Sequence, residues 1–294
     1  MSRPGSARRC VLLAVAITLL ALAGNAAASR IVSRGFASRA LQQDWTYDIY
    51  LPSGYESATR DYPVLYLLHG NGDDRGSWVR DGHIQQTADA LIAAGDIPPC
   101  LIVMPDGGTS WYVDRKVRME SALIEDLIPD VEQHWRALAR RDGRVVGGYS
   151  MGGYGAMRLA LRYPERFAAA ALLSPAIYDP LPPEHSAARK AGVFGAANFV
   201  PAIWKEYNYP ALWNAYLARR LPVAMFIDSG DADPFGIEQE ATRFYLRLRR
   251  DGQPAQLRIV HGAHDWSVWA GTIGDAMKYV FGHAGRVPAA APAR

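Results

Sequence analysis

The chain has 294 residues, with 32 Lys and Arg against 29 Asp and Glu. Its formal charge of +3 comes from the first 28 residues, which hold Arg3, Arg8 and Arg9 and no acid. Without them the net charge is zero, which leaves no electrostatic footprint for nucleic acid.

In chain order, the three arginines precede an uncharged run from Cys10 to Gly24, and Ala26-Ala27-Ala28 then leads to Ser29. A basic start, a short apolar stretch and small residues at its end predict a secretory signal peptide over 1–28. The run falls short of the roughly 20 residues needed to span a bilayer, so no stable membrane insertion is expected after cleavage. The expected product is secreted, to periplasm or medium. It keeps one cysteine, Cys100, which heads the apolar run to Met104 and reads as a core residue.

Trp45 to Leu51 alternates polar and apolar residues and predicts an early antiparallel strand. Continuous apolar runs predict buried strands at Val64–Leu68 and Leu101–Met104, at one led by Val145-Val146, and at Ala168–Leu173, Val223–Ile227 and Gln256–Val260. Helical patterns lie between them at Ile84–Ala94, Ser121–Arg140, Gly152–Arg162, Gly236–Asp251 and Ser267–Gly282. The alternation predicts an α/β fold with a mainly parallel sheet covered on both faces. Residues 29–285 read as one domain. Tyr178–Leu221 breaks the pattern, rich in Pro, Gly and aromatic residues, and reads either as a lid-like insertion or as a flap with its aromatics packed inward. The Pro/Ala-rich tail, 286–294, is expected to be disordered.

Gly148-Tyr149-Ser150-Met151-Gly152 follows a buried strand and opens a helix. That setting gives G-x-S-x-G its meaning as a nucleophile elbow. Strand and helix pass close together there, so both flanking positions need glycine. A serine hydroxyl needs a base, and the base needs an orienting carboxylate. Three acids follow the strand ending at Ile227: Asp228, Asp231 and Asp233. Asp233, furthest past the strand, is preferred. After the last strand, His264 is preferred over His261 as base, because His261 abuts the strand. His69-Gly70-Asn71-Gly72 follows Val64–Leu68 as an oxyanion loop would. The expected donors are the N–H groups of Met151 and Asn71, with Gly72 as the alternative to Asn71 and His69 as scaffold.

These pieces resemble, along nearly the whole mature chain, the putative esterase family that contains esterase D, feruloyl and acetyl-xylan esterases, siderophore esterases and mycolyltransferases. The residues that carry the resemblance are Tyr50–Tyr55, Tyr62–Gly70, Met104–Gly107 with Ser110–Tyr112, Gly148–Gly155, Ser229–Asp233, and His264–Trp266 with Trp269. The resemblance implies an α/β-hydrolase fold and a triad of Ser150, Asp233 and His264. It also implies that Trp111 and Tyr112 lie near the site; they are counted with Trp266 as substrate-binding candidates, packing within the loop being the alternative for the first two. The implied activity is hydrolysis of a small-molecule or carbohydrate ester without metal or cofactor. An acyltransferase of the mycolyltransferase type is the nearest alternative. A non-catalytic binding protein or a peptidase fits less well.

Overall fold

The computed structural model describes residues 27–284. The expected signal segment, apart from its last two residues, and the tail 286–294 lie outside the described residues. Eight strands form one sheet: β1 (Arg30–Ser38), β2 (Gln43–Leu51), β3 (Val64–Leu68), β4 (Leu101–Pro105), β5 (Arg144–Tyr149), β6 (Ala169–Leu173), β7 (Ala224–Gly230) and β8 (Ala255–Val260). Their order is β1-β2-β4-β3-β5-β6-β7-β8. The β1–β2 and β2–β4 pairs are antiparallel and the remaining pairs parallel. This is the α/β-hydrolase architecture that the sequence predicts.

The helices are α1 (Ser77–Arg80), α2 (Ile84–Ala94), α3 (Met119–Ser121), α4 (Ile128–His134), α5 (Met151–Arg162), α6 (Ala187–Lys190), α7 (Pro201–Tyr207), α8 (Tyr209–Arg219), α9 (Ile237–Arg250) and α10 (Trp266–His283). A π-helical turn, Ala122–Leu127, joins α3 to α4. The period-2 geometry of a strand sends alternate side chains to opposite faces. On β3, Val64, Tyr66 and Leu68 enter a core shared with α4, α5 and α9. Leu65 and Leu67 enter the other core, with Trp78, Ile84 and α10. Burial on both faces explains why the central strands are continuous apolar runs.

Two expectations need correction. The helix expected over Ser121–Arg140 ends at His134. Beyond it the chain is extended and pairs with Tyr62, whose N–H donates to Arg136 O while Leu138 N–H donates to Tyr62 O. The apolar residues Trp135 and Leu138 keep helical spacing by coincidence; Trp135 Nε1–H donates to Tyr47 Oη at 2.8 Å. The strand β1 was not expected. It is an edge strand, half-exposed along most of its length, so it lacks the apolar run that marks a buried strand. Across 178–221 there is no strand, and α7 and α8 bury Trp204, Tyr209, Trp213 and Tyr216. These four aromatics face inward, while Phe199 and Tyr207 are partly exposed.

Candidate active site

The parallel strands all end on the same edge of the sheet, and the connections leaving that edge carry Asn71, Trp111, Tyr112, Ser150, Asp233 and His264. Ser150 sits between β5 and α5 with φ 55° and ψ −116°, a region costly for any residue with a side chain. The turn holds it there. Ser150 N–H donates to Leu173 O at 2.9 Å, and Ser150 O accepts from Ala176 N–H at 3.1 Å. A Cβ on Gly152 would stand 2.5 Å from Leu68 O and 2.7 Å from His69 O, and one on Gly148 would stand 2.7 Å from Leu68 O. Both glycines are thus required by close backbone approach.

His264 Nε2 lies 2.8 Å from Ser150 Oγ, and His264 Nδ1 lies 2.7 Å from Asp233 Oδ2. The side chain of Asp233 is fully buried and that of His264 is 12% exposed. The second oxygen of Asp233 accepts from Phe235 N–H at 2.9 Å. Phe235 and Trp269 meet the His264 ring edgewise, with centroids at 4.9 and 5.1 Å. The imidazole is therefore held between two aromatic rings and aimed by one buried carboxylate. Met151 opens α5, so its N–H has no intrahelical acceptor. Asn71 lies on the exposed loop after β3.

The two other acids, Asp228 within β7 and Asp231 just after it, do different work. Asp231 accepts from Gly262 N–H at 3.0 Å and lies 3.3 Å from the exposed His261. With Ala232 N–H donating to Gly262 O at 2.9 Å, it ties the acid loop to the histidine loop. Asp228 faces inward, and its Oδ1 accepts from Ser174 N–H at 3.0 Å.

Burial pushes the Asp228 carboxyl up to about 7. A carboxyl raised in the folded state binds its proton more tightly there than in the unfolded chain. The stability it contributes is full below the unfolded value, near 4, and falls as pH rises toward 7. Asp228→Asn removes that titration. The variant's melting temperature is expected to rise relative to the parent by several degrees between about pH 5 and about pH 8. Thermal melts at both pH values check this, and a difference that does not change with pH would refute it.

His69 is a scaffold residue. Its Nε2 accepts from Gly107 N–H at 2.8 Å, which leaves Nδ1 to donate to Gly70 O at 2.8 Å. One ring thus joins the loops after β3 and β4. Tyr112 and Trp111 adopt φ 53° and 55° and are 0% and 1% exposed. The Tyr112 hydroxyl donates to His69 O at 3.0 Å, and the Trp111 ring packs on Tyr154, Phe194 and Trp204. Both sit in the packed layer beneath the loops, and Trp111 anchors the 178–221 segment there. Trp266 is half-buried and packs on Trp78, Tyr149 and Trp269. Among the described residues no group of three or more His, Cys, Asp or Glu side chains is arranged to hold a metal ion. No helix there is long and apolar enough to cross a membrane.

The family described as "Putative esterase" matches residues 38–280. The chain belongs to this family. Among curated proteins it is 38% identical over 134 residues to an esterase of Mycobacterium tuberculosis, covering 42% of this chain and 27% of that protein. It is 36% identical over 145 residues to an endo-1,4-beta-xylanase/feruloyl esterase of Xylanibacter ruminicola, covering 46% and 20%. The chain thus spans about a quarter of the length of these relatives. Among solved structures, a ferulic acid esterase superposes with a TM-score of 0.74 at 27% identity, over 88% of this chain and 99% of its own.

Tyr149 is the residue that sequence reasoning missed. It occupies a variable position of G-x-S-x-G, so the motif assigns it nothing, yet its ring contacts Trp78, Trp266 and Trp269 and its hydroxyl donates to Asp73.

Proposed function

We propose that the mature chain is a secreted serine esterase that hydrolyses a carboxylic ester through an acyl-enzyme on Ser150. The observation that carries this reading is the continuous hydrogen-bonded line from Asp233 through His264 to Ser150, at 2.7 and 2.8 Å. His264 Nε2 takes the proton of Ser150 as Oγ attacks the ester carbonyl. Asp233 holds the imidazole in the tautomer that leaves Nε2 free and stabilises the imidazolium that forms. The N–H groups of Met151 and Asn71 receive the oxyanion, with the positive end of the α5 dipole behind them. The alcohol leaves with the proton from His264, and a water activated by the same ring then releases the acid.

The proposed substrate is a small-molecule or carbohydrate ester. The names of relatives and neighbours, feruloyl and ferulic acid esterase, point to an acyl group of the ferulic acid type.

The test is a burst assay on p-nitrophenyl acetate, butyrate, octanoate and palmitate, with and without a glycerol or sugar acceptor. Steady turnover of short chains that ignores the acceptor is expected. A stoichiometric burst that turns over only when acceptor is added, with long chains preferred, would make the protein an acyltransferase instead.

A further inference from the structure

The residue between Gly148 and Ser150 meets the loop after β3 and, through Trp269, the ring of His264. Tyr149 is 1% exposed. Its ring stacks on Trp269 with centroids at 4.3 Å, and Trp269 in turn meets the edge of His264. The loop after β3 passes directly over the same ring. A Cβ on Gly70 would stand 2.3 Å from Tyr149 Cε2. The phenolic O–H donates to Asp73 Oδ2. Asp73 N–H donates back to Gly70 O at 3.3 Å, which closes the turn that carries Asn71 and Gly72.

We infer that Tyr149 and Asp73 form a latch that fixes the spacing of the two oxyanion donors, making Tyr149 a positioning residue for the reaction. The inference rests on the esterase reading of Ser150. The two donors belong to different elements. Met151 N–H is fixed by the elbow, whereas Asn71 and Gly72 lie on an exposed loop. A side-chain bond from the nucleophile strand to Asp73 restrains that loop at the point where it turns. Stabilisation of a developing oxyanion falls steeply when a donor is misplaced. The ground-state ester makes weaker demands on the same donors, so the latch acts mainly on the transition state. Burial and the neighbouring carboxylate hold the phenol far above its ordinary range, so it stays a neutral donor at any working pH.

The experiment is a double-mutant cycle on Tyr149→Phe and Asp73→Ala in the full mature chain. Tyr149→Phe keeps the ring and its packing. Asp73→Ala removes the acceptor at a half-exposed residue and provides the second route should the first variant fold poorly. Each is expected to lower kcat on p-nitrophenyl acetate roughly tenfold with KM within about twofold. Inhibition by phenylboronic acid, whose adduct with serine mimics the tetrahedral oxyanion, is expected to weaken by the same factor. The double variant should be no slower than the slower single one. Unchanged kcat and boronate affinity in Tyr149→Phe would overturn the latch, as would losses that multiply in the double variant. Ser150→Ala, assayed alongside, separates the two levels. If it retains full activity the esterase reading fails. If it is inactive while Tyr149→Phe matches the parent, the latch alone fails.

Discussion

Ser150→Ala is expected to lower kcat on p-nitrophenyl acetate by about a million-fold while the protein folds normally. The magnitude follows from the role. Without Oγ no acyl-enzyme forms, and His264 has no proton to take. What remains is the oxyanion donors and any water that strays into position, which other triads show to be worth about a thousand-fold or more over solution. The fold should survive because Ser150 is held by backbone groups that alanine retains, its N–H to Leu173 and its carbonyl to Ala176. The freed His264 Nε2 lies on a side chain that is 12% exposed, so water can satisfy it and no buried orphan is created. Steady-state kinetics and a thermal melt on the same sample check both halves. Turnover within tenfold of the parent would place the nucleophile elsewhere.

Asp233→Asn should cost about ten-thousand-fold in kcat with little change in KM. An amide in place of the carboxylate can turn its NH2 toward His264 Nδ1. That favours the tautomer with the proton on Nε2, which cannot accept from Ser150. The imidazolium also loses its counter-charge. Asp231→Asn makes the complementary prediction: a change of less than about tenfold, since Asp231 serves the loop through Gly262 N–H and an exposed histidine rather than the reacting ring. The reverse ranking of the two variants would reassign the acid.

The elements on which these predictions depend were legible in the sequence for physical reasons. A parallel strand covered on both faces must be a continuous apolar run, so β3 reads with correct ends from Val64-Leu-Tyr-Leu-Leu68. The elbow demands glycine at 148 and 152 because the backbones of β3 and α5 touch there. What stayed hidden obeys other rules. β1 is half-exposed at an edge. Trp135 and the backbone of Arg136 and Leu138 serve contacts with Tyr47 and Tyr62, in an extended conformation that only the tertiary pairing explains. Among the acids, position along the loop favoured Asp233, but only the folded chain distinguishes the loop tie of Asp231 and the inward carboxyl of Asp228 from it. The Tyr149–Asp73 bond joins residues 76 apart in sequence, a pairing that no local motif encodes.

The central claim is that Ser150 is an activated nucleophile, and its most direct test is labelling with a fluorophosphonate followed by mass spectrometry of the digested protein. The account predicts one label per chain, on the peptide containing Ser150, with labelling slowed in His264→Ala and absent in Ser150→Ala. An unlabelled protein that still hydrolyses esters, or a label on any other residue, would contradict it.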